Sequence, residues 1–176
     1  MKVFVTSIGE KTTAICCKQL KRFGFDVILL EKKEPWIDKY KSFIMLANED
    51  CIRIDADIIP NENIKQVGKE DFGMITYMTY DLYRNNIGIT SPIFYRKFIL
   101  DILKKRIKEI PVSRPEASAS RFLEVNPYKY NSNLIVGIHG LCASSRDIAR
   151  HEKHKIERKQ IEQYDFNLIN KINEIS

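Results

Sequence analysis

The first sixty residues alternate between strand-like and helix-like patterns, and this order constrains the fold more than any other feature of the sequence. Apolar, strand-like runs cover residues 2–7, 25–30 and 51–58, and helical patterns lie between them, the first ending at residue 23 and the second covering residues 36–48. The connections are short, which favours parallel strands joined by right-handed crossovers. The sequence therefore predicts an α/β protein with a mostly parallel central sheet.

The rest of the chain is less regular, and it has no repeat and no clear domain boundary. Apolar patterns and turn residues still predict individual elements there. They are a short helix at 61–67, strands at 72–80 and 87–91, a helix at 93–110, a loop at 111–120, a short strand at 122–125, an uncertain segment at 128–136 and a long helix at 144–175.

Composition narrows the class of protein without selecting its partner. The chain has 176 residues and a net charge of +6, a modest excess that suits a phosphate-bearing ligand, a nucleic acid or an anionic membrane surface equally well. It contains no apolar run close to the length of a membrane span. Its four cysteines form no CxxC pair, which argues against a zinc site. A strand-like start without a secretory signal predicts a reducing, cytoplasmic location.

Two aspartates, Asp55 and Asp57, interrupt an otherwise apolar run that ends at Pro60. Because side chains alternate along a strand, the two carboxylates are expected to share one face. Two buried negative charges need compensation, and a hard divalent cation such as Mg²⁺ binds one or two carboxylates and takes its remaining ligands from phosphate and water. The alternative is a solvated acidic turn at the end of the strand.

The order of these features resembles one family. Thr6-Ser7-Ile8-Gly9-Glu10 follows the first strand, Glu31 ends the second, Lys39 lies on the next helix, and Asp55-Ala56-Asp57 ends the third strand. This layout resembles the GT-A-type glycosyltransferases, which use nucleotide-sugar donors and a DxD motif. The resemblance implies a GT-A-like (Rossmann-like), three-layer α/β/α fold in a single domain, residues 1–176. Residues 1–80 would form the nucleotide- and metal-binding half, and 81–176 a short acceptor-side half with a C-terminal helix.

The resemblance also implies roles for individual residues. Nucleotide contacts fall on Thr6, Ser7, Gly9, Glu10, Glu31 and Lys39. The ligands of Mn²⁺ or Mg²⁺ would be Asp55, Asp57 and His139, and the catalytic residues would be Asp57 and Glu116. Glu116 is the candidate general base or acceptor-binding acid, and Asp81 is a second candidate for this role. Each has a structural alternative: ordinary turn capping in the first loop, a solvated lysine, a histidine bonded to a nearby carbonyl, or a loop acid.

The expected function is therefore metal-dependent transfer of a sugar from a nucleotide-diphosphate-sugar donor to a saccharide, lipid or protein acceptor. Because the acceptor half is short, a noncatalytic binding or assembly module of the same fold stays open. Nucleic-acid binding is disfavoured, since no helix-turn-helix, RNA-recognition aromatics or zinc module is visible. The basic segment 96–106 could contact the inner face of an anionic membrane peripherally or be a solvated helix face, and the C-terminal helix could pair in a homodimer or dock on the core.

Overall fold

A computed structural model describes residues 1–31, 35–83, 85–112, 115–123 and 128–141. The strands in this part of the chain are β1 (Lys2–Thr6), β2 (Asp26–Leu30), β3 (Cys51–Asp55), β4 (Ile58–Pro60), β5 (Met74–Asp81), β6 (Asn86–Tyr95) and β7 (Lys129–His139). The helices are α1 (Thr13–Arg22), α2 (Trp36–Leu46), α3 (Lys97–Lys105) and α4 (Pro115–Arg121), with 3₁₀ turns at Glu62–Gln66 and Ile107–Glu109. No helix among these residues is long and apolar enough to cross a membrane.

The described strands form a single sheet in the order β2-β1-β3-β6-β5-β7-β4. Strand β1 runs parallel to β2 and β3, and β5 runs parallel to β7. Strand β6 is antiparallel to both of its neighbours, and β4 is antiparallel to β7. All the described strands except β6 and β4 therefore point the same way, which confirms the prediction of an α/β fold with a mostly parallel sheet.

Alternate side chains of the central strands enter two different buried clusters. In β1, Val3 and Val5 pack with α1, whereas Phe4 packs with α2 and α3. Strand β3 divides in the same way, with Ile52 in the first cluster and Cys51 in the second. These strands are buried on both sides, as parallel strands usually are. The full three-layer arrangement stays a prediction.

The third strand is shorter than predicted. It pairs with β1 only as far as Asp55, opposite Thr6, and then turns at Ala56 and Asp57. The chain crosses to the far edge of the sheet as β4, where Pro60 is tolerated because an edge strand can lack a donor. The argument that alternation along one strand places Asp55 and Asp57 on one face was therefore wrong.

Three further predictions fail, the first of them because remote strand pairing overrides the local pattern. Strand β6 continues to Tyr95 where a helix was predicted from Ile93, since its last residues pair with β3. Helix α4 forms inside the predicted loop at 111–120. Phe122 lies in the turn after α4 and not in a strand, and residues 124–125 and the predicted helix at 144–175 lie outside the described residues.

Candidate functional site

A cleft of about 220 Å³ opens where β1 and β3 end. Its lining residues come from four regions of the chain: Thr6, Ile8, Glu10, Trp36, Asp55, Asp57 and Glu116. Four of these side chains are carboxylic acids and none is a lysine or an arginine. The charge of the lining side chains is thus opposite in sign to the net charge of +6. In an open α/β sheet this edge, beyond the carboxyl ends of the strands, is where ligands bind.

The loop between β1 and α1 is organised around the carboxylate of Glu10. Ser7 Oγ donates to Glu10 Oε2 at 2.8 Å, and the Ile8 N–H donates to the same oxygen at 2.7 Å. Gly9 has a φ of +94°, a conformation that favours glycine, and its N–H donates to Ser7 Oγ at 3.0 Å. These donors are engaged within the loop, which therefore presents a carboxylate to the cleft.

Lys39 and Glu31 lie apart from the lining of the cleft. Lys39 is buried, and its ammonium group donates to the carbonyl of Ser7, so this side chain supports the first loop. The alternative prediction, that Lys39 is a solvated surface lysine, was therefore wrong. Glu31 is exposed just after the edge strand β2. Their predicted contacts with a nucleotide stay predictions.

Asp55 is held in place by hydrogen bonds to residues of β1, β3 and β6. Its N–H donates to Ser91 Oγ at 2.9 Å, and its Oδ1 accepts from Thr6 Oγ1 and from Arg53 Nη1, both at 2.8 Å. Both side-chain bonds use Oδ1. Oδ2 is therefore the oxygen with which Asp55 can bind a cation in the cleft.

Asp57 is held by His139, at the end of β7. The Nε2 atom of His139 lies 3.2 Å from Asp57 Oδ2, and its Nδ1 lies 3.4 Å from Asp81 Oδ1, at the end of β5. Burial lowers the pKa of His139, but hydrogen bonds and charge from Asp57 and Asp81 outweigh it and raise this pKa to about 10. At neutral pH the imidazole is thus a cation between two carboxylates, and a metal would have to displace a proton to bind it.

Glu116 enters the cleft from the start of α4 and forms an ion pair with Arg53. Burial raises the pKa of Glu116 to about 7, although the nearby charge of Arg53 opposes this rise. A carboxylic acid that titrates near neutral pH is suited to general base catalysis. Its predicted role as a base stays a prediction.

Sequence reasoning missed Arg53 and Trp36. Arg53 is only 1% exposed, and its guanidinium carbon lies 5.2 Å from the centre of the Trp36 ring. The signal was present, because Arg53 is a charged residue between two isoleucines in the middle of a strand, where a charge requires partners. Trp36 begins the predicted helix at 36–48, and that helical pattern gave no sign that the ring borders a cleft.

The donor set fits a cation that is only partly bound by protein. Among the described residues, no group of three or more His, Cys, Asp or Glu side chains is arranged to hold a metal. Mg²⁺ often binds one or two carboxylates and completes its shell with phosphate oxygens and water. Asp55 and Asp57 line one cleft and fit that pattern.

The sequence matches no known family model and no curated protein, but several solved structures resemble the fold. A glycosyltransferase involved in the glycosylation of the major capsid of PBCV-1 is 13% identical with a TM-score of 0.54, over 87% of this chain and 97% of that one. The 4-diphosphocytidyl-2C-methyl-D-erythritol synthase from Anaerococcus prevotii is 10% identical with a TM-score of 0.56, over 87% and 96%. A protein from STIV is 12% identical with a TM-score of 0.54, over 75% and 81%.

At these identities the likeness shows the fold alone. The chain has a mixed, GT-A-like and Rossmann-like α/β fold, which a glycosyltransferase and a synthase of a diphosphocytidyl compound share. One fold hosts many chemistries, so the function has to be argued from the cleft.

Proposed function

We propose that the protein is a metal-dependent transferase that moves a sugar from a nucleotide-diphosphate-sugar donor to an acceptor hydroxyl. The observation that carries this proposal is the meeting of Asp55, Asp57 and Glu116 in one cleft at the carboxyl edge of the sheet. The fold shared with a glycosyltransferase supports it.

The charge of the cleft explains why a cation is needed. A diphosphate that enters the cleft meets four carboxylic acids, and the charges of Arg53 and of the protonated His139 offset them only in part. The first loop does not supply that compensation either, because the Ile8 N–H and the Ser7 hydroxyl already bind Glu10. A divalent cation held by Asp55 Oδ2 and Asp57 would offset the charge and join the diphosphate to the protein.

The chemistry follows from the same arrangement. The bond from the anomeric carbon to the diphosphate breaks, and a bond from that carbon to the acceptor oxygen forms. A bound Mn²⁺ or Mg²⁺ supplies Lewis acidity for the departing diphosphate. In an inverting reaction Glu116 takes the proton of the acceptor hydroxyl, since an ionised carboxylate in the cleft can act as the base.

Thermal unfolding with Mn²⁺ and a panel of nucleoside diphosphates tests the ligand. We expect one diphosphate to raise the melting temperature only when the cation is present, because a ligand that binds the folded state stabilises it. Asp57→Asn should abolish the shift. Asp26→Asn is the matched control, since Asp26 is exposed at the start of β2, and the cleft lies at the other edge of the sheet, beyond the carboxyl ends of the strands. A shift that survives in Asp57→Asn, or none with any diphosphate at millimolar concentration, would contradict the proposal.

Release of free sugar from a panel of nucleotide-diphosphate sugars separates the transferase from a noncatalytic module. A transferase hydrolyses its donor slowly when water replaces the acceptor. If the protein binds the nucleotide in the presence of the cation but releases no sugar, nucleotide binding is supported and transferase activity is contradicted.

A further inference from the structure

Arg53 combines complete burial with two ion pairs to different parts of the chain. Its Nη1 atom binds Asp55 Oδ1 at 2.8 Å and approaches Thr6 Oγ1 at 3.4 Å, while its Nη2 atom binds the carboxylate of Glu116. The guanidinium also lies against Trp36. Its planar fork can bind two carboxylates at once, which the single ammonium of a lysine cannot do with the same geometry.

The two carboxylates belong to different functions in the proposed reaction. Asp55 ends β3 and carries the oxygen available to the cation, whereas Glu116 begins α4 and is the candidate base. One positive charge is shared between two negative charges. If either carboxylate leaves the fork, the guanidinium is held more strongly by the other, because a buried charge must stay paired.

We infer that Arg53 is a positioning residue that couples the two sides of the cleft: its contact with Glu116 sets how freely Asp55 can bind a cation. This inference rests on the cation site of the proposed function. When Glu116 withdraws, Arg53 competes with the cation for Asp55. Coupling of this kind is reciprocal, so a cation at Asp55 strengthens the hold of Arg53 on Glu116.

Carbon-13 NMR of protein labelled at the aspartate carboxyl groups tests the coupling in the full chain. Asp55→Asn assigns the Asp55 resonance, and Mg²⁺ is titrated at pH 8.5, where Glu116, with a pKa of about 7, is ionised. Glu116→Gln should move the Asp55 resonance before any metal is added and weaken Mg²⁺ binding about fivefold. The control is Glu109→Gln, since Glu109 is exposed and pairs only with Arg106 among the described contacts.

Glu116→Asp distinguishes an effect of the direct contact between Glu116 and Arg53 from an effect of the negative charge at position 116. The shorter side chain keeps its charge but withdraws from the fork, so we expect it to weaken Mg²⁺ binding as Glu116→Gln does. If Glu116→Asp instead binds Mg²⁺ like the wild type, the charge acts through space and the role of Arg53 is wrong. In Arg53→Lys the effect of Glu116→Gln should shrink, and an undiminished effect would also overturn the inference. Both Glu116 variants keep Arg53, so a folding defect in Arg53→Lys leaves the test intact.

The two proposals fail in different ways. If Mg²⁺ does not move the wild-type Asp55 resonance, the cation site of the proposed function is wrong. The resonance shift caused by Glu116→Gln and Glu116→Asp in metal-free protein then still decides the role of Arg53. If Mg²⁺ binds but neither substitution affects its affinity, the cation site stands and the coupling is wrong.

Discussion

His139 occupies a position where three strand ends converge, and its charge depends on neighbours that are far apart in sequence. Asp57 follows β3, Asp81 ends β5, and both lie within 3.4 Å of its ring nitrogens. The side chain of Tyr83 also packs against the ring, with the ring centres 5.4 Å apart. Because these contacts form only in the folded protein, folding favours the protonated form of this imidazole.

The raised pKa of His139 predicts a dependence of stability on pH in protein freed of metal by a chelator. The folded pKa of about 10 lies above the ordinary value of 6.5, so the stabilisation is complete below pH 6.5 and is lost as the pH rises through 10. One pKa unit corresponds to about 1.4 kcal/mol. In urea unfolding, the wild type should therefore lose at least that much more stability than His139→Gln between pH 6.5 and pH 10. Equal losses would contradict the prediction.

The pKa of Glu116 predicts the pH dependence of donor hydrolysis. If Glu116 is the base, the rate should rise with pH through about 7 as its carboxyl group ionises. Glu116→Gln should lower the rate about 100-fold and flatten this part of the profile. Steady-state rates at saturating donor and cation, from pH 5.5 to 8.5, provide the measurement. A full rise that persists in Glu116→Gln would assign the ionisation to another group.

The edge of the sheet at which the candidate site residues lie was predictable from the sequence, whereas their side-chain partners were not. Thr6, Glu10 and the two aspartates could be placed near one edge because parallel strands end together. Lys39 could not be distinguished from a solvated lysine, because its partner is a carbonyl in another loop. The periodic pattern of a single element carries no information about such contacts.

At the scale of elements, the short strand β4 determines where Asp57 lies. The chain leaves β3 at Asp55, turns, and pairs with β7 from Ile58 to Pro60. The pairing places Pro60 opposite Gly137, and the Gly140 N–H donates to the carbonyl of Asp57 at 3.2 Å. Sequence patterns predicted β1, β2 and α2 well because their apolar periods are local, but β6 and β4 follow from pairing with distant strands.

This pairing makes Gly137 a test of the β4–β7 edge. A Cβ atom at position 137 would lie 2.6 Å from the carbonyl oxygen of Ile59, and backbone cannot yield as a flexible side chain can. We expect Gly137→Ala to cost about 1–3 kcal/mol in the free energy of unfolding, the usual range for overpacking. It should also weaken cation binding, because the turn that carries Asp57 is anchored by this pair.

Gly88→Ala is the matched control for Gly137→Ala. Gly88 is also a strand glycine, but a Cβ atom there meets nothing within 4 Å, so its substitution should leave stability unchanged or slightly higher. Chemical unfolding gives both values. Equal stability of the two variants would show that the edge pair is looser than its geometry indicates.

At the scale of the whole molecule, the two buried clusters depend on the same strands. Cys16 lies in the cluster with α1, and Cys51 lies in the cluster with α2 and α3, yet β1 and β3 contribute residues to both. Neither cluster can lose its packing without exposing strands that the other needs. We therefore expect the described part of the chain to unfold as one cooperative unit, in agreement with the single domain predicted from the sequence.

The cysteines allow this cooperativity to be measured. Burial raises the pKa of Cys16 and raises that of Cys51 to about 12, so both thiols should resist alkylation in the folded protein. Two variants that each retain one of these cysteines, with the other three replaced by serine or alanine, report on the two clusters separately. In pulsed alkylation across a urea series, both thiols should become reactive at the same midpoint as the loss of helical signal. If Cys51 reacts at a lower urea concentration than Cys16, the α2–α3 side opens independently and the single cooperative unit is wrong.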